Sequence, residues 1–374
     1  MRRKGRMGRA RWSQAPIAML MMTVVLVACG GDDESSDQSD GEAPTWDSHE
    51  ALVDAAVAEG GTLKAFVSFE EETMALVQET FNEKYPDIEL ELTEQSGSDT
   101  PRILLEIQGD ASDTDVVHIS QEVYGAYLPL LEQVDLLALA EAGVIDVPAD
   151  MINPDQPETM AAGSAMAGFS YNPSELDPSL VPESWEDFLD PGLKGKQFLV
   201  DIEPVNLATL IPAWGEDRVY EFAASIGDQD PIWARGESNA ITLMGAGEYQ
   251  LHFASNYHSA YRASLEAPDA ISVGLLDPIP VRLGQVQGIR AGADNVAGAV
   301  LFLEHLASPE VQEALDELEP QQSSIYAEGS DLAAALEGKD ISLWDWKYFP
   351  LMPVYLENIL EEWGFPVAEV VEED

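Results

Sequence analysis

Residues 62–67, Thr62-Leu63-Lys64-Ala65-Phe66-Val67, read as a strand, and residues 70–85 behind them read as a helix. Met74, Val77, Phe81 and Tyr85 recur at helical spacing, acidic residues fill the first turn, and Pro86 ends the run. Ile88-Glu89-Leu90-Glu91-Leu92-Thr93 then alternates as a second strand. Ser96-Gly97-Ser98 makes a turn and caps a helix that carries Ile103, Leu104 and Ile107. Asp115-Val116-Val117-His118-Ile119 is a short buried strand. Strand and helix in alternation predict a parallel, doubly wound sheet and an α/β fold.

Further along, the reading is strand into turn at 168–173, a capped helical turn over 184–191 stopped by Pro191, and a strand over 195–201. A helix is expected over 236–247 and a strand over 248–254. An apolar strand over 271–275 leads into Asp277-Pro278-Ile279-Pro280. Two amphipathic helices follow, over 294–306 and 308–318, the second opening on Ser308 with Pro309 at its first position. The aromatics Trp344, Trp346, Tyr348, Phe349, Tyr355 and Trp363 are expected to pack helices onto a lobe. No repeat of solenoid or propeller period is present.

The N-terminus carries Arg2, Arg3, Lys4, Arg6, Arg9 and Arg11 and no acid, then an apolar run over 17–27. That run has the length of a signal-peptide core and is too short for a comfortable bilayer span. It ends in Leu26-Val27-Ala28-Cys29-Gly30, which looks like a lipobox in which the Cys is lipidated. The plain alternative is an ordinary signal peptide with a chance Cys. Cys29 is the only cysteine, so an intramolecular disulfide is excluded. Residues 1–28 are thus expected as leader, and 29–48, acidic and low in complexity, as a disordered tether. No later stretch is long and apolar enough to cross a bilayer.

The chain carries 18 basic and 69 acidic residues, a net charge of −51. Removing the leader, which holds six bases and no acid, takes the net charge to −57. A nucleic-acid binder needs a basic face, so that class is excluded. The acidity does not by itself indicate a cationic ligand. It fits a surface adapted to high salt or high pH.

Four segments carry a family resemblance over roughly 60–320. They are Glu70-Glu71-Glu72-Thr73 with Phe81 to Pro86; Tyr171-Asn172-Pro173 with Pro182 to Pro191 and Leu193-Lys194-Gly195-Lys196; Met244 to Tyr249 with Asn256-Tyr257-His258; and Ala299 to Gln312. In this order the chain resembles the type-2 periplasmic solute-binding proteins, and within them the branch around ferric-ion-binding proteins. The resemblance implies two α/β lobes joined by two crossover strands, with ligand held in the cleft between them by hinge closure. By that analogy residues 49–165 and 272–374 form the first lobe and 166–271 the second. It also implies delivery to an ABC-type permease and its ATPase, a monomer, and a place on the outer face of the cytoplasmic membrane, held there by the lipid alone.

A doubly wound sheet binds ligands past the carboxyl ends of its strands, near helix N-termini. That rule selects Ser68 and Phe69, then Ser96, Gly97 and Ser98, then Ser120 with Gln121, and in the second lobe Ser238 of Gly236-Glu237-Ser238-Asn239. Hydroxyls and helix dipoles favour anionic groups, and a small anionic or polar organic solute such as a phosphonate, phosphate ester or carboxylate is expected. Each serine is equally explained as a helix cap. Asn256-Tyr257-His258-Ser259-Ala260-Tyr261 is the most informative stretch. In ferric-binding relatives this place holds two adjacent tyrosines that ligate Fe³⁺. Tyr257 matches the first and His258 replaces the second, so this chain's iron ligand set is incomplete and ferric ion stays open as a cargo. The alternative for Tyr257 and Tyr261 is packing on one helix face at i, i+4. Tyr171, Asn206 and Trp214 are further second-lobe candidates.

Enzyme motifs are incomplete. Gly168-Phe169-Ser170-Tyr171-Asn172 lacks the last glycine of a nucleophile elbow. His49-Glu50 has no second histidine at zincin spacing. Gly192-Leu193-Lys194-Gly195-Lys196 is too short for a phosphate-binding loop. The expected role is therefore solute capture without turnover and without a cofactor. A lipid-anchored adhesin or hydrolase on the same scaffold is the rival reading.

Overall fold

The computed structural model describes residues 43–365. The expected leader, Cys29 and the tether up to residue 42 lie outside them. Trp46, at the end of the stretch expected as tether, packs against buried core residues. Ser48 then caps the helix His49–Glu59, accepting from the Ala51 amide at 3.2 Å.

Ten strands follow in chain order: β1 (Thr62–Val67), β2 (Glu89–Glu94), β3 (Val116–His118), β4 (Thr159–Tyr171), β5 (Leu199–Asp201), β6 (Ile232–Ala234), β7 (Leu251–Asn256), β8 (Ser272–Gly274), β9 (Ile279–Ile289) and β10 (Ile341–Trp344). Their hydrogen-bonded order is β2-β1-β3-β9-β4-β7-β5-β6, with β10 on β9 and β8 on β4. The outer pairs β1–β2 and β5–β6 are parallel, as strand-helix alternation requires. The central pairs β3–β9, β9–β4 and β4–β7 are antiparallel.

β4 and β9 pass from one half of the molecule to the other. Residues Thr159 to Met166 of β4 pair with β9, while Ala167 to Tyr171 pair with β7 and β8. These are the two crossover strands of a two-lobed α/β fold. β4 is 13 residues long and begins nine residues before the strand expected at 168. Its first half reads Met160-Ala161-Ala162-Gly163-Ser164-Ala165, buried on both faces, and so shows neither alternation nor large β-formers. Gly163 is required there: a Cβ at this position would lie 2.8 Å from the Gln322 carbonyl oxygen.

Most other elements fall where periodicity put them. The helix Glu71–Lys84 buries Thr73, Val77 and Phe81, and Ser308 caps Pro309–Leu318. The turn Trp185–Leu189 carries a capping box between Ser184 and Asp187. Phe188 meets Phe253 edge-on, with centroids 4.8 Å apart, and the Trp185 indole donates to the Pro278 carbonyl at 3.1 Å. Each such ring, fully buried, contributes roughly 2–3 kcal/mol of transfer free energy. The C-terminal helix Met352–Glu362 packs on the helix Glu216–Asp228, and the Trp363 indole donates to the Ala223 carbonyl at 3.0 Å.

Candidate functional site

The carboxyl ends of β1, β2, β3 and β7 open onto a cleft of about 360 Å³, floored by the crossover strands β4 and β9. From the β1 end come Ser68 and Phe69, from the β2 end Gln95 and Gly97, and from the β3 end His118 and Ser120. The other half contributes Asn256 and His258, at the start of the helix Tyr257–Glu266. Of the residues picked from sequence, Ser68, Phe69, Gly97, Ser120, Asn256 and His258 thus share one cavity wall.

The other selected residues sit elsewhere. Ser96 and Ser98 are used within their own turn. The Ser96 hydroxyl lies 2.8 Å from the Ser98 hydroxyl and donates to Asp99 at 2.6 Å, closing a capping box. The capping alternative describes these two serines. Tyr257 stacks on Tyr261 with centroids 5.6 Å apart and planes 11° from parallel, and packs against an apolar cluster of Met166, Ile279 and Leu332. Burial raises its phenol pKa, which opposes phenolate formation. Tyr171 stacks on Phe169 at 5.8 Å, and Ser238 sits in the first turn of the helix Glu237–Gly245. Tyr171, Ser238, Tyr257 and Tyr261 are all outside the cleft lining.

Two strands that contribute to this cavity carry backbone irregularities. β7 carries one extra residue opposite Gly168 to Ser170 of β4, and Ala254 within it has φ 50°. Gln285 on β9 has φ 49°. Both lie in the left-handed region that side chains seldom adopt; at Ala254 the irregularity is a bulge, which bends β7, whereas β9 keeps its register with β4 through Gln285. The Gln285 amide donates to the Ser68 carbonyl at 2.8 Å, tying the β1 end to the floor.

Charge in the cleft is uneven: Glu70, Glu94, Glu122 and Glu319 lie in its lining, and among the described residues Arg282 is the one Lys or Arg there. Arg282, on β9, lines it and forms no ion pair among the described residues. Its guanidinium donates instead to the Asn206 amide oxygen at 3.2 Å, and the Asn206 NH₂ is held by the Ala254 carbonyl at 2.9 Å. Desolvation lowers the Arg282 pKa, while Glu122 and Glu237 raise it from a distance. Lys64, Arg102, Arg218, Arg235, Arg262 and Lys347 each pair with a carboxylate, whereas Lys84, Lys194, Lys196, Arg290 and Lys339 do not pair with any described one and lie outside the cleft lining. Behind Arg282, burial pushes the Glu237 carboxyl up to about 8, with Asp201 adding to the rise. His252 lies 3.6 Å away, fully buried, its pKa held down at about 4 by the same desolvation. His258 is also held at about 4 by burial and is neutral near pH 7, so its Nδ1–H donates to the Pro320 carbonyl at 3.1 Å.

Arg282, Gln285, Glu319 and Gln322 line the cleft and were not selected from sequence. The available signal was a lone Arg in an apolar stretch, Ile279 to Ile289, once that stretch is taken as a strand. No group of three or more His, Cys, Asp or Glu side chains among the described residues is placed to hold a metal ion.

Known structures share this architecture. The iron- and citrate-bound FutA of Trichodesmium superposes with a TM-score of 0.64 at 19% identity, covering 82% of this chain and 100% of that one. The AfuA protein of Actinobacillus pleuropneumoniae, solved with fructose-6-phosphate, gives 0.63 at 20% identity over 82% of this chain and 99% of its own. A ferric-binding protein from Campylobacter jejuni gives 0.63 at 18% identity, covering 81% of this chain and 100% of its own. At such identity these likenesses speak to fold. No curated protein matches the sequence. The profile of bacterial extracellular solute-binding proteins matches residues 77–320, which span both halves of the sheet and most of the cleft, and the chain belongs to that family.

Proposed function

We propose that this protein captures a small anionic organic solute outside the cytoplasmic membrane and delivers it to an ABC-type permease driven by a separate ATPase. The observation that carries the reading is Arg282: a half-buried guanidinium on the cleft floor, held by a neutral amide and left without a carboxylate partner. A charge held in a low-dielectric cavity favours an anion strongly, and a guanidinium suits carboxylate and phosphate oxygens geometrically. The Ser120 hydroxyl and the cleft-side residue Gly97, at the start of the following helix, supply further polar groups. Ferric ion fits less well, because Tyr257, the candidate phenolate, is packed on Tyr261 with its proton held by burial.

The rest of the arrangement follows from sequence. Residues 1–28 serve as leader, Cys29 takes the lipid, and the acidic stretch behind it tethers a monomeric body. The family places the protein outside the cytoplasm, and no helix among the described residues is long and apolar enough to cross a membrane. Mass spectrometry of small molecules co-purifying with the protein, with metal analysis alongside, identifies the solute. Calorimetry with that solute on the parent and on Arg282→Gln then tests the assignment. The expected loss is on the order of 100-fold or more, as for removal of one partner of a buried charge pair. Equal affinity, or stoichiometric iron with no organic anion, overturns it.

A further inference from the structure

Glu319 sits on the first-lobe side of the cleft and is 2% exposed. One of its oxygens accepts from the Glu70 amide at 2.7 Å and the Thr73 hydroxyl at 3.0 Å, both at the start of the helix Glu71–Lys84. Its other oxygen faces the opposite lobe. There it lies 3.5 Å from His258 Nε2 and 3.7 Å from Arg262 Nη1, both on the helix Tyr257–Glu266, which packs on β4 and β8. Arg262 also donates to the Glu70 carboxylate at 2.5 Å, and His258 donates to the carbonyl of Pro320, the neighbour of Glu319. The contacts of Glu319, Glu70 and Pro320 with His258 and Arg262 run between the two halves, whereas those with the Glu70 amide and Thr73 stay within the first.

We propose that Glu319 and Arg262 are the positioning residues of a closure bolt, which holds the two lobes together over a bound solute. In this arrangement His258 serves the bolt through the Pro320 carbonyl, to which its one N–H donates. The proposal rests on the two-lobed fold and on no particular ligand.

The unequal burial of the two ion pairs decides where the bolt's strength lies. The Arg262–Glu70 pair is exposed, at 36% and 55% of side-chain surface, and exposed pairs contribute little. Glu319 is different. In the closed arrangement its carboxylate is out of water and Arg262 is the cation facing it; removing that cation leaves an uncompensated buried charge. In an opened arrangement water solvates Glu319 and the same removal costs nothing. Loss of the Arg262 charge therefore acts on the closed state selectively and shifts the population toward open.

Small-angle scattering of the full mature chain without added solute reads that population. The Arg262→Gln variant is expected to shift to a larger radius of gyration than the parent. Arg262→Lys keeps the charge and is expected to retain the parent's radius. Glu70→Gln, which removes the exposed pair alone, is expected to move the radius less than Arg262→Gln. Thermal melting accompanies each measurement, so that unfolding is not mistaken for opening. Superimposable curves for the parent and Arg262→Gln overturn the bolt, as does a Lys variant as open as the Gln variant. No ligand enters the readout, so its failure is separate from any failure of the anion assignment.

Discussion

Arg282 and Asn206 are joined by one hydrogen bond of 3.2 Å between a guanidinium and a neutral amide. Neutrality at residue 206 is what leaves the arginine charge available. Asn206→Asp substitutes a carboxylate at the same reach, and the new ion pair absorbs the charge that a solute would use. The expected result is an affinity for an anionic solute at least 10-fold lower, with little change in melting temperature. Asn206→Leu removes the holder without adding charge and is expected to cost less, through freedom of the Arg282 side chain alone. Calorimetry on both variants checks the order. An Asp variant that binds as well as the parent contradicts the role given to Arg282.

Glu237 titrates in an accessible range. Its carboxyl is raised from an ordinary value near 4.5 to about 8 by burial, with Asp201 raising it and Arg282 and the Asn256 amide lowering it; neutral His252 lies 3.6 Å away. Because the folded protein holds this proton more tightly than the unfolded chain, the contribution to stability is fully present below about pH 4.5. It is lost as pH rises toward about 8. Glu237→Gln fixes the neutral state. The expected outcome is a variant whose stability falls less between pH 5 and pH 9 than the parent's, by roughly 4 kcal/mol, about three pH units at about 1.4 kcal/mol each. Parallel pH profiles would remove Glu237 as the titrating group. In the folded protein the same carboxyl ionises near pH 8 and places a negative charge near Arg282, so anion affinity is expected to decline as pH passes through about 8 in the parent and to stay flat in the variant.

How far the fold was legible follows from which elements carry periodic signals. The helix Glu71–Lys84 was readable because Val77 and Phe81 mark its buried side while Glu71 and Glu72 open its first turn. β4 was readable only at its end, since Met160 to Ala165 offer small side chains buried on both faces. β9 contains Pro280, Gly284 and Gly288, each of which argues against a strand in isolation. Its 11 residues are a strand because β3, β4 and β10 pair with it from both sides. Arg282 was missed for that reason: its meaning depends on a strand visible only in three dimensions. Ser68, Ser120 and Asn256 were found because strand ends are a local property. Tyr257 was selected through resemblance, and the resemblance could not show that its ring turns onto Tyr261.

Tyr257 supplies a test that separates packing from ligation. Its ring is stacked on Tyr261 and seated against Met166, Ile279 and Leu332. Tyr257→Phe keeps the ring and removes the hydroxyl. It is expected to leave solute affinity within about 2-fold and stability within about 0.5 kcal/mol. Tyr257→Ala removes the ring and is expected to cost about 2–4 kcal/mol of stability, as for a large-to-small change in a packed cluster. A Phe variant that loses binding while retaining its melting temperature would make the phenol a ligand group and return ferric ion to the front.

The acidic surface carries the last expectation. The net charge is −51 across the chain, and on the helix Glu71–Lys84 the exposed carboxylates of Glu71, Glu72, Glu79 and Glu83 face solvent with one basic residue, Lys84, at the end. Like charges at this density repel in the compact state, and the repulsion is reduced when the screening length falls from about 10 Å at 0.1 M salt to about 3 Å at 1 M. Stability is therefore expected to climb as potassium chloride is raised from 0.05 M to 2 M, with most of the gain below about 1 M, where screening changes most. The exposed pairs Arg218–Glu186 and Arg235–Glu203 weaken over the same range, but each contributes at most about 1 kcal/mol and their loss is outweighed by relief of the surrounding repulsion. Melting followed by circular dichroism across that series decides the matter. A midpoint that is flat or falls with salt would mean that the carboxylates are spaced widely enough for water alone to separate them.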